Sequence, residues 1–305
     1  MEAGDYERWE QASRVIGTAK AGRRLAGVNG AGDDKGDGEA GRWAQWLAKG
    51  GVIDVPIAVV VAHADDETLW AGSALSRLRN CRLIHVTDAA PRDMADAARL
   101  GFADRQAYAA ARAAELDRAL SLLGASPERL AYGMVDQEAA LVLPALVNQL
   151  ERDISDRLIV VTHPYEGGHP DHDSTALAVR LAVDRLQRRD GKAPAIVEFA
   201  CYHRYSGQRR FGAFWPDPDS REQVRWLNEE DRARVDAAIN AHATQTQVIG
   251  EWRPDVERWR AAPEYQFTVP PPPGEALYDG FGWAMTGVRW RALAAEAILA
   301  ERAWA

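Results

Sequence analysis

The chain has 305 residues, 47% of them apolar and 27% charged, and a net charge of −8. That size and composition suit a globular protein with a sizeable buried core and exclude disordered and fibrous classes. The acidic balance, with arginines scattered among acids rather than gathered in a stripe, argues against a nucleic-acid binder.

Residues 5–24 read as a weak helix, and residues 26–41, rich in glycine and aspartate, as a loop. The loop contains a G-x-G pattern, but no strand precedes it, so a dinucleotide-binding turn is rejected. The acidic, polar start lacks the apolar core of a secretory signal. No apolar run reaches the roughly 18–20 residues of a bilayer span. Cys81 and Cys201, the only cysteines, lie in apolar runs and read as buried thiols. A cytoplasmic protein is expected.

A βα rhythm then begins. A short helix over 42–49 leads into a buried aliphatic strand over 57–62, followed by a helix over 67–79 with Leu69, Ala74, Leu75 and Leu78 at helical spacing. A second strand over 82–87 ends at Asp88. A long helix over 103–123 is closed by Gly124. A short strand over 130–134, a helix over 138–155, a strand over 158–162, a helix over 174–189 and a strand over 195–202 complete the pattern. Strands alternating with long helices imply parallel pairing, so the predicted fold is α/β, Rossmann-like, with helices on both faces of a mostly parallel sheet. Beyond residue 204 tryptophan and proline become frequent and the rhythm stops. Residues 205–305 are predicted to be a helical and irregular extension ending in a helix over 288–304. The expected division is a variable segment over 1–50, a catalytic core over 51–204 and the extension.

Ligands of parallel sheets collect at the carboxyl ends of strands. Three polar clusters fall there: "AHADDE" after the first strand, "TDAAPRD" after the second and "THPYEGGHPDHD" after the fourth. Adjacent carboxylates at Asp65, Asp66 and Glu67 repel one another, so a cation is expected among them. His63 and Asp66, three residues apart across a tight turn, can converge on one ion, and the His169–His172 unit can supply a third ligand. Two histidines and a carboxylate form a catalytic zinc pattern, and with no thiolate close by, zinc or another imidazole-tolerant divalent ion fits. Asp65 is then free to act as general base. His169 is left over to stabilise an oxyanion or protonate an amine as an imidazolium, with Asp171 holding it. Glu67 reads as an early-helix charge interacting with the dipole.

These residues resemble the PIG-L (LmbE-like) zinc-dependent N-deacetylases, over roughly residues 55–202. The family hallmark A-H-P-D-D-E is matched by "AHADDE", with Ala64 in place of proline, and is followed by "HPDH". The resemblance implies a Rossmann-like fold and removal of acyl groups, mostly acetyl, from amino sugars and related amines. It implies Zn²⁺ held by His63, Asp66 and His172, Asp65 as base, and His169 as the pocket imidazole. "RAAE" is similar to the family's arginine–glutamate helix, which makes Arg112 a substrate-contact candidate.

Several positions admit two readings. Asp88 binds a sugar hydroxyl or caps its loop, Tyr165 touches substrate or packs, and His163 is functional or a hydrogen-bonded loop histidine. His85 is expected to be a satisfied core residue and His242 a surface or packing residue. The tryptophans of the extension read as packing residues or as a sugar-stacking wall. The expected partner is a small N-acylated molecule, with a sugar favoured. Two other classes stay open: another metal-dependent hydrolase such as an amidase or phosphoesterase, and a non-catalytic binder that keeps the pocket.

Overall fold

The computed structural model describes residues 38–303. The predicted helix over 5–24 and most of the glycine-rich stretch over 26–41 lie outside them. The end of that stretch is helical: Gly38–Lys49 (α1) begins four residues before the predicted start.

Strand β1 (Ile57–Val61) is wholly buried, and its alternating side chains enter two different cores. Ile57, Val59 and Val61 pack with Leu69, Leu75, Leu116 and Val235, whereas Ala58 and Val60 pack with Leu146, Leu177 and Trp290. A strand covered on both faces has no polar side to display, which accounts for its unbroken aliphatic run. The first core belongs to α1, α2 (Asp66–Leu75), α4 (Arg105–Leu123) and α7 (Glu229–Ala241). The second belongs to α5 (Leu143–Ile154), α6 (Pro170–Asp190) and α9 (Gly287–Ala303). No helix among the described residues is long and apolar enough to cross a membrane.

Strands β2 (Cys81–Thr87), β3 (Glu128–Met134), β4 (Ile159–Thr162) and β5 (Ala195–Phe199) run parallel to β1. With β8 (Gln223–Trp226) and β9 (Val256–Ala261), the seven-stranded order is β3-β2-β1-β4-β5-β9-β8. The chain builds outward from β1 through β2 and β3, then restarts on the other side with β4. The carboxyl ends of β1 and β4 therefore flank the topological switch point where such sheets bind ligands.

Two helix boundaries differ from expectation for local reasons. Residues 139–142 form a 3₁₀ turn, and α5 starts only at Leu143, with Pro144 in its first turn. Helix α6 starts at Pro170 rather than 174: His169 caps it, accepting from the Asp171 amide through Nδ1 at 3.2 Å. "HPDH" is thus a first helical turn that places His169 and His172 one turn apart.

The extension departs further. It forms the predicted final helix but also supplies a hairpin, β6 (Tyr202–Tyr205) with β7 (Gln208–Phe211), and two strands of the main sheet. Strand β9 (Val256–Ala261) pairs antiparallel with β5, and β8 (Gln223–Trp226) with β9. Their sequences, "VERWRA" and "QVRW", carry charges that hide them from hydropathy. Those side chains find polar partners inside the fold, Arg260 Nε with Glu198 at 2.9 Å among them.

Candidate active site

Three strand ends and one helix start deliver the site. After β1 comes Ala62–Asp66, whose turn is closed by the His63 amide donating to Asp66 Oδ2 at 2.8 Å and by the Asp65 and Asp66 amides reaching the His63 carbonyl at 3.1 and 3.3 Å. All ten residues of α2 are buried, so the Asp66 and Glu67 carboxylates are carried inward rather than solvated. Asp136 follows β3, His163 follows β4, and His169 and His172 arrive on the first turn of α6.

His63, Asp66 and His172 meet. Asp66 Oδ2 lies 3.4 Å from His63 Nδ1, and its Oδ1 lies 3.2 Å from His172 Nε2. Tetrahedral zinc with nitrogen and oxygen donors at about 2.0–2.1 Å separates neighbouring donors by about 3.3 Å. His172 is 3% exposed, yet neither of its ring nitrogens has a hydrogen-bond partner among the described residues. A buried imidazole with two idle nitrogens is costly unless something else binds it. Donor atoms of His63, His169 and His172 also lie within 4.8 Å of one another, which puts a third imidazole, His169, at the edge of the same point.

His163 packs behind His172, ring centroids 4.0 Å apart and nearly parallel at 14°. Its Nε2 accepts from the Ala62 amide at 2.9 Å, so Nδ1 carries the hydrogen and points at Cys201 Sγ at 3.1 Å. Burial, with His172 alongside, pushes its pKa down to about 3. It is a neutral supporting histidine. Cys201 is close to these rings, but burial holds its thiol protonated, well above the usual range, so it offers no thiolate.

Asp65 faces the cavity from beside the cluster. Arg112 Nη2 donates to its Oδ2 at 3.0 Å and to the Ala64 carbonyl at 3.0 Å, while Nη1 donates to the Ala89 carbonyl at 3.1 Å. Burial pushes the Asp65 carboxyl up to about 7, against the pull of Arg112.

Several expected roles change. Asp171 does not hold His169: their side chains are 3.9 Å apart, and Asp171 instead accepts the Gln137 and Ala139 amides at 2.6 and 3.1 Å and reaches His63 Nε2 at 3.2 Å. His169 is not an imidazolium, because burial and then the adjacent His63 hold it well below its ordinary pKa. Glu67 is no dipole charge in water. It is buried against His85 Nε2 at 3.0 Å, and that contact overrides burial and keeps it ionised. His242 is not at the surface: it is 1% exposed, with Nε2 3.2 Å from Thr68 Oγ1. Tyr165 is core, donating to the Val269 carbonyl at 2.8 Å and stacked on Trp290. Asp88 caps its loop, accepting the Ala90 amide at 3.1 Å and pairing with Arg105. Neither lines the cavity.

Asp136 was missed. Its Oδ1 lies 3.3 Å from His63 Nε2 without a well-formed hydrogen bond among the described residues, and His63 with His169 and Arg112 outweigh burial to keep it ionised. In turn Asp136, with Asp171 and Asp66, raises the pKa of His63 despite its burial. Asp136 falls just past the end of a strand, so the rule that found the other clusters also points to it.

The cavity above the cluster holds about 340 Å³. Leu69 and Trp70 of α2, Tyr202 and Phe211 of the hairpin, and Trp252, Phe281 and Trp283 of the extension form its walls. Trp283 meets His169 edge-on at 5.0 Å.

Residues 58–183 match the model of the family described as PIG-L: GlcNAc-PI de-N-acetylase. This stretch, residues 58–183, is thus similar to a PIG-L domain. Within it lie His63, Asp65, Asp66, Arg112, Asp136, His169 and His172. Among solved structures, the antimicrobial reagent A40926 pseudoaglycone deacetylase Dbv21 is similar at 20% identity and a TM-score of 0.51, over 68% of this chain and 96% of that one. A deacetylase in the biosynthesis pathway of teicoplanin is similar at 17% identity and a TM-score of 0.49, over 69% and 99% of the two chains. The N,N'-diacetylchitobiose deacetylase from Pyrococcus horikoshii is similar at 16%, with a TM-score of 0.45, over 69% and 79%. The first of these shows a shared fold. No curated protein matches the sequence significantly.

Proposed function

We propose that the chain is a metal-dependent hydrolase that removes an N-acyl group, acetyl above all, from an amino sugar or related small amide. The observation that carries this reading is the buried His172, whose ring nitrogens make no well-formed hydrogen bond among the described residues, with Nε2 only 3.2 Å from Asp66, within the stretch that matches the PIG-L model and next to an arginine-held aspartate. His63, Asp66 and His172 would hold the ion, and their imidazole and carboxylate donors suit Zn²⁺. When bound, such an ion polarises a carbonyl and acidifies water.

The chain's own residues supply the rest. Arg112 fixes one oxygen of Asp65 and leaves the other for a water proton; a carboxyl pushed up to about 7 is poised both to take that proton and to return it to a departing amine. His169 uses Nδ1 to accept the Asp171 amide, so its Nε2 carries the hydrogen and can donate to the oxygen that gains charge as the amide carbon becomes tetrahedral. Water adds to the carbonyl carbon, the C–N bond breaks, and a carboxylic acid and an amine leave.

Elemental analysis of the purified protein, with acetate release from N-acetylglucosamine and related amides before and after chelation, tests this reading. Asp65→Asn is expected to keep its metal and lose about 10²–10⁴-fold in kcat. A metal-free protein with full activity, or an active Asp65→Asn variant, would sink it.

A further inference from the structure

The ionised groups on the cavity wall are paired, with one exception. Asp65 is bonded to Arg112 at 3.0 Å, Asp136 lies 3.3 Å from His63, Asp66 sits among three histidines, and Asp96 accepts from Arg99 at 2.8 Å. Arg209, on β7, lines the same cavity and makes no ion pair among the described residues. Among the described residues its only side-chain hydrogen bond is a 3.4 Å contact to the Val248 carbonyl.

The guanidinium is nonetheless placed. Its carbon lies 5.4, 5.5 and 5.7 Å from the ring centroids of Tyr202, Phe211 and Phe281. Aromatic faces orient a cation without neutralising it and displace part of its water. The Tyr202 ring also meets His172 edge-on at 5.3 Å. One side chain therefore separates the charged guanidinium from the proposed metal ligands.

We infer that Arg209 forms a subsite for an anionic substituent, a carboxylate or a phosphate, carried by the substrate about one ring away from the scissile amide. This rests on the deacylase reading and narrows it. The planar fork of arginine suits both anions through two parallel N–H donors. An anion would be repelled from the carboxylates around His63 unless something positive held it at the other side of the cavity, so the subsite also orients the amide toward the catalytic end.

The test compares acetate release by the metal-loaded full chain from N-acetylglucosamine, its 6-phosphate, and N-acetylmuramic acid. At least one anionic compound should exceed the neutral sugar in kcat/KM by about tenfold, the size of one charge-assisted contact. The two anions distinguish a phosphate from a carboxylate source. In Arg209→Gln the anionic-to-neutral ratio should fall about tenfold, and in Arg209→Glu it should invert. Equal rates on charged and neutral compounds, or a ratio that Arg209→Gln leaves unmoved, would overturn the subsite. If none of the compounds releases acetate, the deacylase reading fails, and binding of glucosamine 6-phosphate followed by tryptophan fluorescence still decides the subsite. Saturable quenching, about tenfold weaker in Arg209→Gln, supports it; no quenching, or identical curves, overturns it.

Discussion

Arg112 ties together three pieces of chain that meet nowhere in sequence. Its two terminal nitrogens reach the Asp65 carboxylate and the Ala64 and Ala89 carbonyls, and the residue is 4% exposed. These bonds hold the loop at the position where the family has proline: Ala64 lacks the ring, but its carbonyl is anchored and the turn around it is closed by Asp66. Lysine has one charged nitrogen and cannot span three acceptors in fixed directions. Arg112→Lys is therefore expected to lower kcat about 10–100-fold with a smaller change in KM, measured by steady-state kinetics. A proportional rise in KM with kcat intact would instead make Arg112 a substrate contact. The residue scale is also where sequence reading worked least evenly. That His63, Asp65, Asp66, His169, His172 and Arg112 gather in one place could be read because their types and spacing are tied to chemistry. Asp88 and Tyr165 misled because a strand end fixes where the backbone goes, not which way the side chain turns. Asp136 escaped because its strand is half exposed and no histidine stands near it in sequence.

At the scale of elements, the junction between the loop before α6 and the hairpin is tight. A Cβ on Gly168 would come within 2.1 Å of the Tyr202 carbonyl, so only glycine lets β6 pass so near the residue preceding His169. Gly168→Ala must push the hairpin from the helix start. A loss of about 1–3 kcal/mol is expected in denaturant unfolding, accompanied by reduced activity as His169 and Tyr202 shift. Unchanged stability would mean that the hairpin moves freely. The strands of the parallel core could be read from the sequence because burial on both faces demands aliphatic runs. β8 and β9 could not, since their polar side chains are satisfied by partners far along the chain, such as Glu257 accepting the Ser73 amide and hydroxyl at 2.6 and 2.7 Å.

For the molecule as a whole, such buried acids set the pH response of the fold. Burial, partly offset by Ser73, pushes the Glu257 carboxyl up to about 7, above the ordinary 4.5. The folded state therefore keeps this proton at pH values where the unfolded chain has released it. The stabilisation is complete below about pH 4.5 and declines as pH rises through about 7, by roughly 3 kcal/mol at most. Glu257→Gln keeps an acceptor for the Ser73 amide and cannot ionise, so its Tm should fall less than that of the unmodified protein between about pH 5 and 8. Parallel Tm curves would exclude Glu257 as a contributor.

The order of the strands has a last consequence. The reacting groups hang from the ends of β1, β3 and β4 and the start of α6, whereas Tyr202, Arg209, Phe211, Trp252, Phe281 and Trp283 come from the later third of the chain. Most of the distal wall is thus written after the histidine–aspartate cluster in the chain, with Leu69 and Trp70 of α2 contributed from within the earlier stretch. On the proposed reading, the later wall can be redesigned residue by residue while the hydrogen bonds within the histidine–aspartate cluster stay in place, so that one centre could be retargeted to new amides.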